Sequence, residues 1–257
     1  MHILITNDDG IHSPGIKALA KSMKSIGEVT VVAPDNEKSA IGHAITIHSP
    51  ITVKHSYFVD DKVNAYAVNG TPADCIKLAI EVLLSDNLPD IIISGINNGP
   101  NLGTDVIYSG TVSGALEGSM MGFPSIAISM SKSQFKSYDY AALFVSKIAS
   151  RILDCSKISP ITFNINYPVC DEKEVKGTKI TRLGVRKYRN NFIRRKDPRG
   201  NWYYWMNGEP EDLIQDEKSD IIAVSDNYVS ITPLHFDLTS YDLIDKVKCL
   251  EYEKKKC

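Results

Sequence analysis

Hydrophobic positions fall into short continuous runs separated by stretches of helical period. Ile3-Leu4-Ile5-Thr6 has the length of one buried strand and stops abruptly at Asn7-Asp8-Asp9-Gly10. Ser13-Pro14 then predicts an N-cap followed by proline at the first helical position. Ile16, Leu19, Ala20 and Met23 recur at helical spacing, and Gly27 marks the stop. Val29 to Ala33 is a second buried strand, closed by Pro34. Strand, helix and strand in this order form a βαβ unit, whose strand ends face a ligand crevice.

Pro34 to His48 is polar and rich in small residues until Ile45, then alternates into Ile51-Thr52-Val53, which predicts a loop and one or two short strands. Tyr66 to Asn69 is a strand candidate. Thr71 as N-cap, Pro72 at the first helical position and Asp74 against the dipole open a helix with Ile76, Leu78, Ala79, Val82 and Leu83 on its apolar positions. Asp90 to Ser94 carries three consecutive isoleucines, as expected at the centre of a parallel sheet. Gly95, Gly99 and Gly103 keep the following segment from forming a helix, and its three asparagines give it the composition of a binding loop. Ser109 to Met121 is a helix of small residues, Phe123 to Ser129 a strand, Tyr138 to Leu153 a helix and Ile161 to Asn166 a strand. Six or more strands alternating with helices define an α/β, Rossmann-like, doubly wound and mostly parallel sheet.

Past Pro168 the pattern changes. Basic residues crowd Arg182 to Arg199, Trp202-Tyr203-Tyr204-Trp205 follows, and acidic residues follow in turn. These blocks predict an extended arm packed on a second copy of the chain, because an isolated two-stranded arm is marginal in water. Val229 to Thr232 is a late strand, and Thr239 to Glu253 a terminal helix before a solvated Lys254-Lys255-Lys256. The organisation expected is a catalytic core over residues 1–180 and an arm, late strand and terminal helix over 181–257, all within one family fold.

Charge changes this picture little. With 29 basic and 31 acidic side chains the net charge is −2, so no global field marks a nucleic-acid or membrane partner, and any anion must be met locally. Acidic residues beside the basic block also lower the potential that nucleic-acid binding needs. Five widely spaced cysteines without a CxxC pair argue against a disulfide framework and a structural zinc. No leader pattern precedes the first strand and no apolar run approaches the ~20 residues of a membrane span, so a cytoplasmic location is expected.

The candidate chemistry begins where the first strand stops. Two carboxylates ~4 Å apart repel by roughly 4 kcal/mol at an effective dielectric near 20, so a strand end aiming Asp8 and Asp9 at one crevice calls for a cation. Asp and Asn oxygens suit Mg²⁺, Mn²⁺ or Ca²⁺. The same tetrapeptide also reads as a simple turn. Taken alone, Ser39 reads as a turn or cap hydroxyl and His43 as a half-buried structural histidine. The start of the Ser109-Gly110-Thr111 helix serves either as a phosphate site or as an ordinary cap. Parallel strands bring such loops to one edge, where Asp8 and Asp9 supply charged oxygens and Ser39 and Asn97 neutral ones. Neither GxGxxG after the first strand nor GxxxxGK[ST] is present, and Gly10 stands where an aspartyl-phosphate phosphatase of the haloacid dehalogenase type carries its second Asp.

Taken together, ILITNDDG at Ile3 to Gly10, the VAPD and SAIGHAIT segments between Val32 and Thr46, NGTPADC at Asn69 to Cys75, SGINNGPNLG at Ser94 to Gly103 and YSGTVSGALEG at Tyr108 to Gly118 resemble the SurE family of stationary-phase survival proteins, metal-dependent 5′-nucleotidases. YVSITPL at Tyr228 to Leu234 extends the likeness. The resemblance implies a Rossmann-like core with one divalent cation, Mg²⁺ or Mn²⁺ ahead of Ca²⁺, held by Asp8, Asp9, Ser39 and Asn97. It implies hydrolysis of nucleoside 5′-monophosphates, and of 3′-nucleotides and short polyphosphate in some members, in dimers or tetramers that exchange C-terminal arms. On this reading Asn101, Ser109, Gly110 and Thr111 bind phosphate, Asp8 or Asp9 assists the attacking water, and His43 donates a proton. A nucleotide-binding regulatory module that binds phosphate without turnover is the competing expectation.

Overall fold

The computed structural model describes residues 1–58, 63–130, 137–154, 161–189, 192–212 and 216–252. In chain order, β1 (His2–Thr6), α1 (Pro14–Met23) and β2 (Glu28–Pro34) form the first βαβ unit. The loop that follows leads to β3 (Val53–His55) and β4 (Asn64–Val68), then α2 (Pro72–Leu78), which ends in one π-helical turn, Ala79–Leu83. Next come β5 (Ile91–Asn98), a 3₁₀ turn at Gly103–Ile107, α3 (Gly110–Met120), β6 (Ser125–Met130), α4 (Asp139–Asp154), β7 (Thr162–Tyr167) and β8 (Thr178–Ile180). The arm comprises β9 (Arg186–Arg189), β10 (Phe192–Lys196), β11 (Trp202–Met206) and β12 (Glu209–Asp212). The chain closes with α5 (Asp220–Ser225), β13 (Val229–Leu234), α6 (Tyr241–Ile244) and a 3₁₀ segment, Asp245–Leu250.

Among the described residues the main sheet has nine strands in the order β3-β4-β2-β1-β5-β6-β7-β13-β8. β4, β2, β1, β5, β6 and β7 run parallel, whereas β3 pairs antiparallel with β4, and β13 antiparallel with β7. The fold is therefore α/β with a mixed, mostly parallel sheet. β1 and β5 are central and buried along their apolar runs, with Ile3, Leu4, Ile5, Ile91, Ile92 and Ile93 fully enclosed. One face packs on α1 and α4 through Ile16, Leu19, Met23, Val145 and Ala149, and the other on α2 and α3 through Cys75, Ile76 and Val112. Burying a side chain of this size stabilises by roughly 1.5–3 kcal/mol, so these two layers dominate the core.

Most local expectations hold. Thr71 and Asp74 form the reciprocal capping box at the start of α2. Ser13 sits at the N-cap of α1 but makes no cap hydrogen bond, because its hydroxyl accepts from Asn7 Nδ2 at 2.9 Å.

Three expectations need revision. The loop and one short strand expected after Pro34 are present, but the strand is β3 at Val53–His55, later than the Ile45 to Val53 alternation placed it, and Ile45 and Ile47 are exposed. β5 runs past Gly95 to Asn98 through a register shift against β6, so the asparagine segment begins inside the strand. The terminal helix expected over 239–253 breaks after Ile244 into a 3₁₀ turn. None of its residues is buried, and without packing a short helix of this length is marginal. The Lys254–Lys256 run lies outside the described residues.

In the arm, β10 pairs with β11 and β9 with β12, all antiparallel. Its basic and acidic blocks face each other: Arg186 Nε bonds Asp212 at 2.7 Å and Arg189 pairs with Glu211. Arg194 and Lys196 lie over the Trp202 ring, 3.4 and 4.6 Å from its centroid. No helix among the described residues is long and apolar enough to cross a membrane.

Candidate active site at the ends of β1 and β5

Parallel order places the carboxyl ends of β1, β2 and β5 along one edge of the sheet, and the first chemistry there is built on a turn. Gly10 has φ +92°, a left-handed conformation that glycine adopts without strain. Asn7 knits the turn by donating from Nδ2 to Gly10 O and to Ser13 Oγ, both at 2.9 Å. Between them Asp8 is 5 % exposed and Asp9 half-buried.

Three elements close on these carboxylates. The Thr111 hydroxyl donates to Asp8 Oδ1, and Lys38 N–H donates to the Asp8 carbonyl at 2.7 Å. Asn98 N–H donates to Asp9 Oδ2 at 3.1 Å. The start of α3 reaches Asp8 because residue 110 is glycine. A Cβ there would stand 2.8 Å from Asp8 Cβ and 3.0 Å from Oδ2, closer than neighbouring atoms tolerate.

Burial raises the Asp8 carboxyl to a pKa of about 6. The bond from Thr111 opposes the rise and the neighbouring Asp9 charge adds to it. Asp9 is raised as well, by burial and by Glu37, against the Asn98 hydrogen bond. Two adjacent carboxylates held above their ordinary range, with no ion pair to either among the described residues, are an environment a hard divalent cation satisfies. Among the described residues no group of three or more His, Cys, Asp or Glu is placed to hold a metal. A cation here would share two carboxylates with neutral oxygens, and Asn97 and Ser39 can offer these.

The other sequence-derived residues are placed less uniformly. Asn97 Nδ2 donates to Gly99 O at 2.8 Å, which commits its nitrogen within its own loop and turns the amide oxygen elsewhere. Ser39 follows Lys38 directly and is exposed, with its hydroxyl donated to Glu37. Asn101 is buried: its N–H donates to Asn166 Oδ1 at 2.8 Å and its Nδ2 to Ser129 Oγ at 2.7 Å, while its carbonyl accepts from Asn164 and Asn166. Ser109 caps α3 by accepting from Val112 N–H at 3.1 Å. Gly110 and Thr111 lie against Asp8, as above. His43 contacts Glu117 rather than either aspartate, with Nε2 at 2.8 Å from Oε2.

Three acidic residues at or near the site make contacts that sequence reasoning did not reach. Glu117, 4 % exposed, holds both His43 and Lys77. It is the single charged residue in the small-residue stretch from Ser109 to Met121, and that isolation was the available signal. Asp74, recognised only as a cap, also binds Thr46 through N–H at 2.9 Å and Oγ1 at 2.6 Å. Asp220, fully enclosed, accepts from Gly103 N–H at 2.8 Å and Gly184 N–H at 2.9 Å and so fixes the end of the asparagine loop.

Comparison with known proteins identifies the family. A family model described as "Survival protein SurE" matches residues 3–190. A protein named 5′-nucleotidase SurE from Alkaliphilus metalliredigens is 55 % identical over 254 residues, covering 99 % of this chain and all of that one. A protein of the same name from Carboxydothermus hydrogenoformans is 51 % identical over 252 residues, covering 96 % of this chain and 95 % of its own. The crystal structure of the SurE protein from Aquifex aeolicus superposes with a TM-score of 0.84 at 41 % identity, covering 97 % of this chain and 99 % of that one. With relatives this similar along their whole length and a solved structure sharing the fold, the chain belongs to the survival protein SurE family.

Proposed function

We propose that this chain is a metal-dependent 5′-nucleotidase that hydrolyses nucleoside 5′-monophosphates to nucleoside and phosphate. The observation that carries the reading is the partly desolvated Asp8–Asp9 pair, with Asp8 bound to the start of α3 through Thr111 and Asp9 to Asn98 at the end of β5. Full-length relatives named 5′-nucleotidase SurE support the same conclusion. Asp8, Asp9, Ser39 and Asn97 hold one Mg²⁺ or Mn²⁺, with Ca²⁺ a further fit to this oxygen set. When bound, the cation supplies Lewis-acid polarisation of the phosphoryl oxygens and acidifies the attacking water.

The remaining work falls to the chain itself. Either Asp8 or Asp9 takes a proton from that water. The Ser109-Gly110-Thr111 turn brings the positive end of α3 to the phosphate, and Asn101 shapes the floor beneath it from its bonds to Asn166 and Ser129. The terminal phosphates of 3′-nucleotides and short polyphosphate present the same anionic head, and the proposal extends to them.

The proposal includes the division into a core over 1–180 and an appendage over 181–257, and assembly of copies through the arm as a dimer or tetramer. Phe192, Trp202, Tyr204 and Met206 lie on one face of the β10–β11 pair and are all at least half exposed in the single chain, an apolar strip that a second copy would cover.

Phosphate release from AMP and GMP with Mg²⁺ or Mn²⁺, with and without chelator, tests the activity. Asp8→Asn is expected to reduce turnover at least ~100-fold, the size of losing a major electrostatic group. Near-wild-type hydrolysis by that variant, folded and metal-loaded, overturns the proposal. Tight nucleotide binding by the wild type without phosphate release would instead assign a regulatory module.

A further inference from the structure

We propose that His43 and Glu117 form a clasp that seats the Ser39 loop beside Asp8, which makes Glu117 a positioning residue for the cation site. The inference rests on the reading of Asp8, Asp9, Ser39 and Asn97 as the ligand set.

The segment between β2 and β3 contains neither helix nor strand, so its course is set by individual bonds. Ser39 lies between two main-chain anchors: Lys38 N–H on the Asp8 carbonyl at 2.7 Å and Gly42 N–H on the Tyr108 carbonyl at 2.9 Å. Immediately after the second anchor comes His43, bound to Glu117. Farther along, Thr71 Oγ1 bonds the Ala44 carbonyl at 2.8 Å and Asp74 takes both donors of Thr46. The loop is thus sewn to α3 at two heights, at Tyr108 just before the helix and at Glu117 on its second turn. α3 is in turn bound to Asp8 through Thr111. Asp8, α3 and the Ser39 loop therefore close into one ring of contacts.

Glu117 is built for this task. Its side chain is 5 % exposed, and a carboxylate so enclosed needs both oxygens satisfied. Lys77 of α2 donates to Oε1 at 3.0 Å, which joins α2 to α3, and Oε2 is given to the loop. His43 gives Nε2 to this bond four residues beyond Ser39, so it adds a side-chain tie to α3 beside the Gly42 anchor and limits how far the ligand-bearing turn can shift.

Calorimetric titration of Mn²⁺ into metal-free wild type, His43→Ala, His43→Gln and Glu117→Gln tests the clasp, alongside phosphate release as a function of Mn²⁺. His43→Ala is expected to weaken Mn²⁺ binding about tenfold, the low end of the effect of removing a group that orients a ligand. The Mn²⁺ concentration for half-maximal turnover should rise by the same factor, with kcat at saturating Mn²⁺ within about threefold of wild type. His43→Gln, whose amide nitrogen can replace Nε2, should recover most of the lost affinity, and Glu117→Gln should weaken binding in the same direction as His43→Ala. Unchanged Mn²⁺ affinity in His43→Ala overturns the clasp. So does a kcat collapse at saturating Mn²⁺ shared by His43→Ala and His43→Gln, which is the signature of a proton donor. Failure of the wild type itself to bind Mn²⁺ would overturn the ligand set, and the clasp with it.

Discussion

Thr111, in the first turn of α3, donates its hydroxyl to Asp8 at the end of β1, across 103 positions of sequence. The bond joins the two features that the proposed chemistry needs, a buried carboxylate and the positive end of a helix. It also acts against burial, since it favours the charged form of a group that burial would neutralise. Thr111→Val keeps the shape and removes the donor. In the metal-free protein Asp8 is then expected to titrate above its present value of about 6. NMR titration of the metal-free variant measures the change.

The raised Asp8 carboxyl has a consequence for stability without metal. Its folded value of about 6 lies above the ordinary 3.8, so between those pH values the folded state holds the proton more tightly than the unfolded chain. The resulting stabilisation is present below pH 4 and is lost as pH rises through 6, by an amount of order 2–3 kcal/mol. Asp8→Asn removes this dependence. The metal-free variant is expected to be more stable than metal-free wild type at pH 7.5, with the gap closing as pH falls to 4, and saturating Mn²⁺ should favour wild type. Thermal unfolding across this range decides it: a gap independent of pH contradicts the assigned cause.

Close approach at Gly110 gives a steric prediction. A methyl group there meets Asp8 and the Lys38 carbonyl at 2.8 to 3.2 Å, and neither the helix start nor the Lys38 main chain can move aside without disturbing the other. Gly110→Ala should destabilise by about 1–3 kcal/mol, as overpacking does, and should lower activity more than stability. Denaturant unfolding and phosphate release on the same preparation separate the two effects.

At the root of the arm, Arg186 bridges Asp105 at 3.2 Å and Asp212 at 2.7 Å with its side chain only 13 % exposed. Burial by itself would lower its pKa, but the two carboxylates outweigh that and hold it firmly charged. Asp105 belongs to the turn linking the asparagine loop to α3. Arg186→Ala leaves both carboxylates without their cation and should cost about 2 kcal/mol in urea unfolding. Arg189→Ala, which breaks a pair exposed on the arginine side, should cost under about 1 kcal/mol.

Sequence alone determined the elements with local causes. The apolar runs of β1 and β5 read as central strands because both faces needed cover, and Thr71 with Asp74 read as a cap because their spacing lets each reach the other's main chain. The Asn7-Asp8-Asp9-Gly10 turn was legible for the same reason, since one glycine conformation and one asparagine side chain shape it within seven residues. Tertiary structure alone decided that Glu117 meets His43 across 74 positions, that Asn101 turns its amide nitrogen toward Ser129, and that β13 lies between β7 and β8. It also decided that the C-terminal segment, apolar enough to suggest a helix, buries none of residues 241–250 in the single chain and breaks after one turn. Periodicity reports which face of an element avoids water, but a buried carboxylate chooses its partners by proximity in the folded chain, and hydrophobic patterning does not encode proximity.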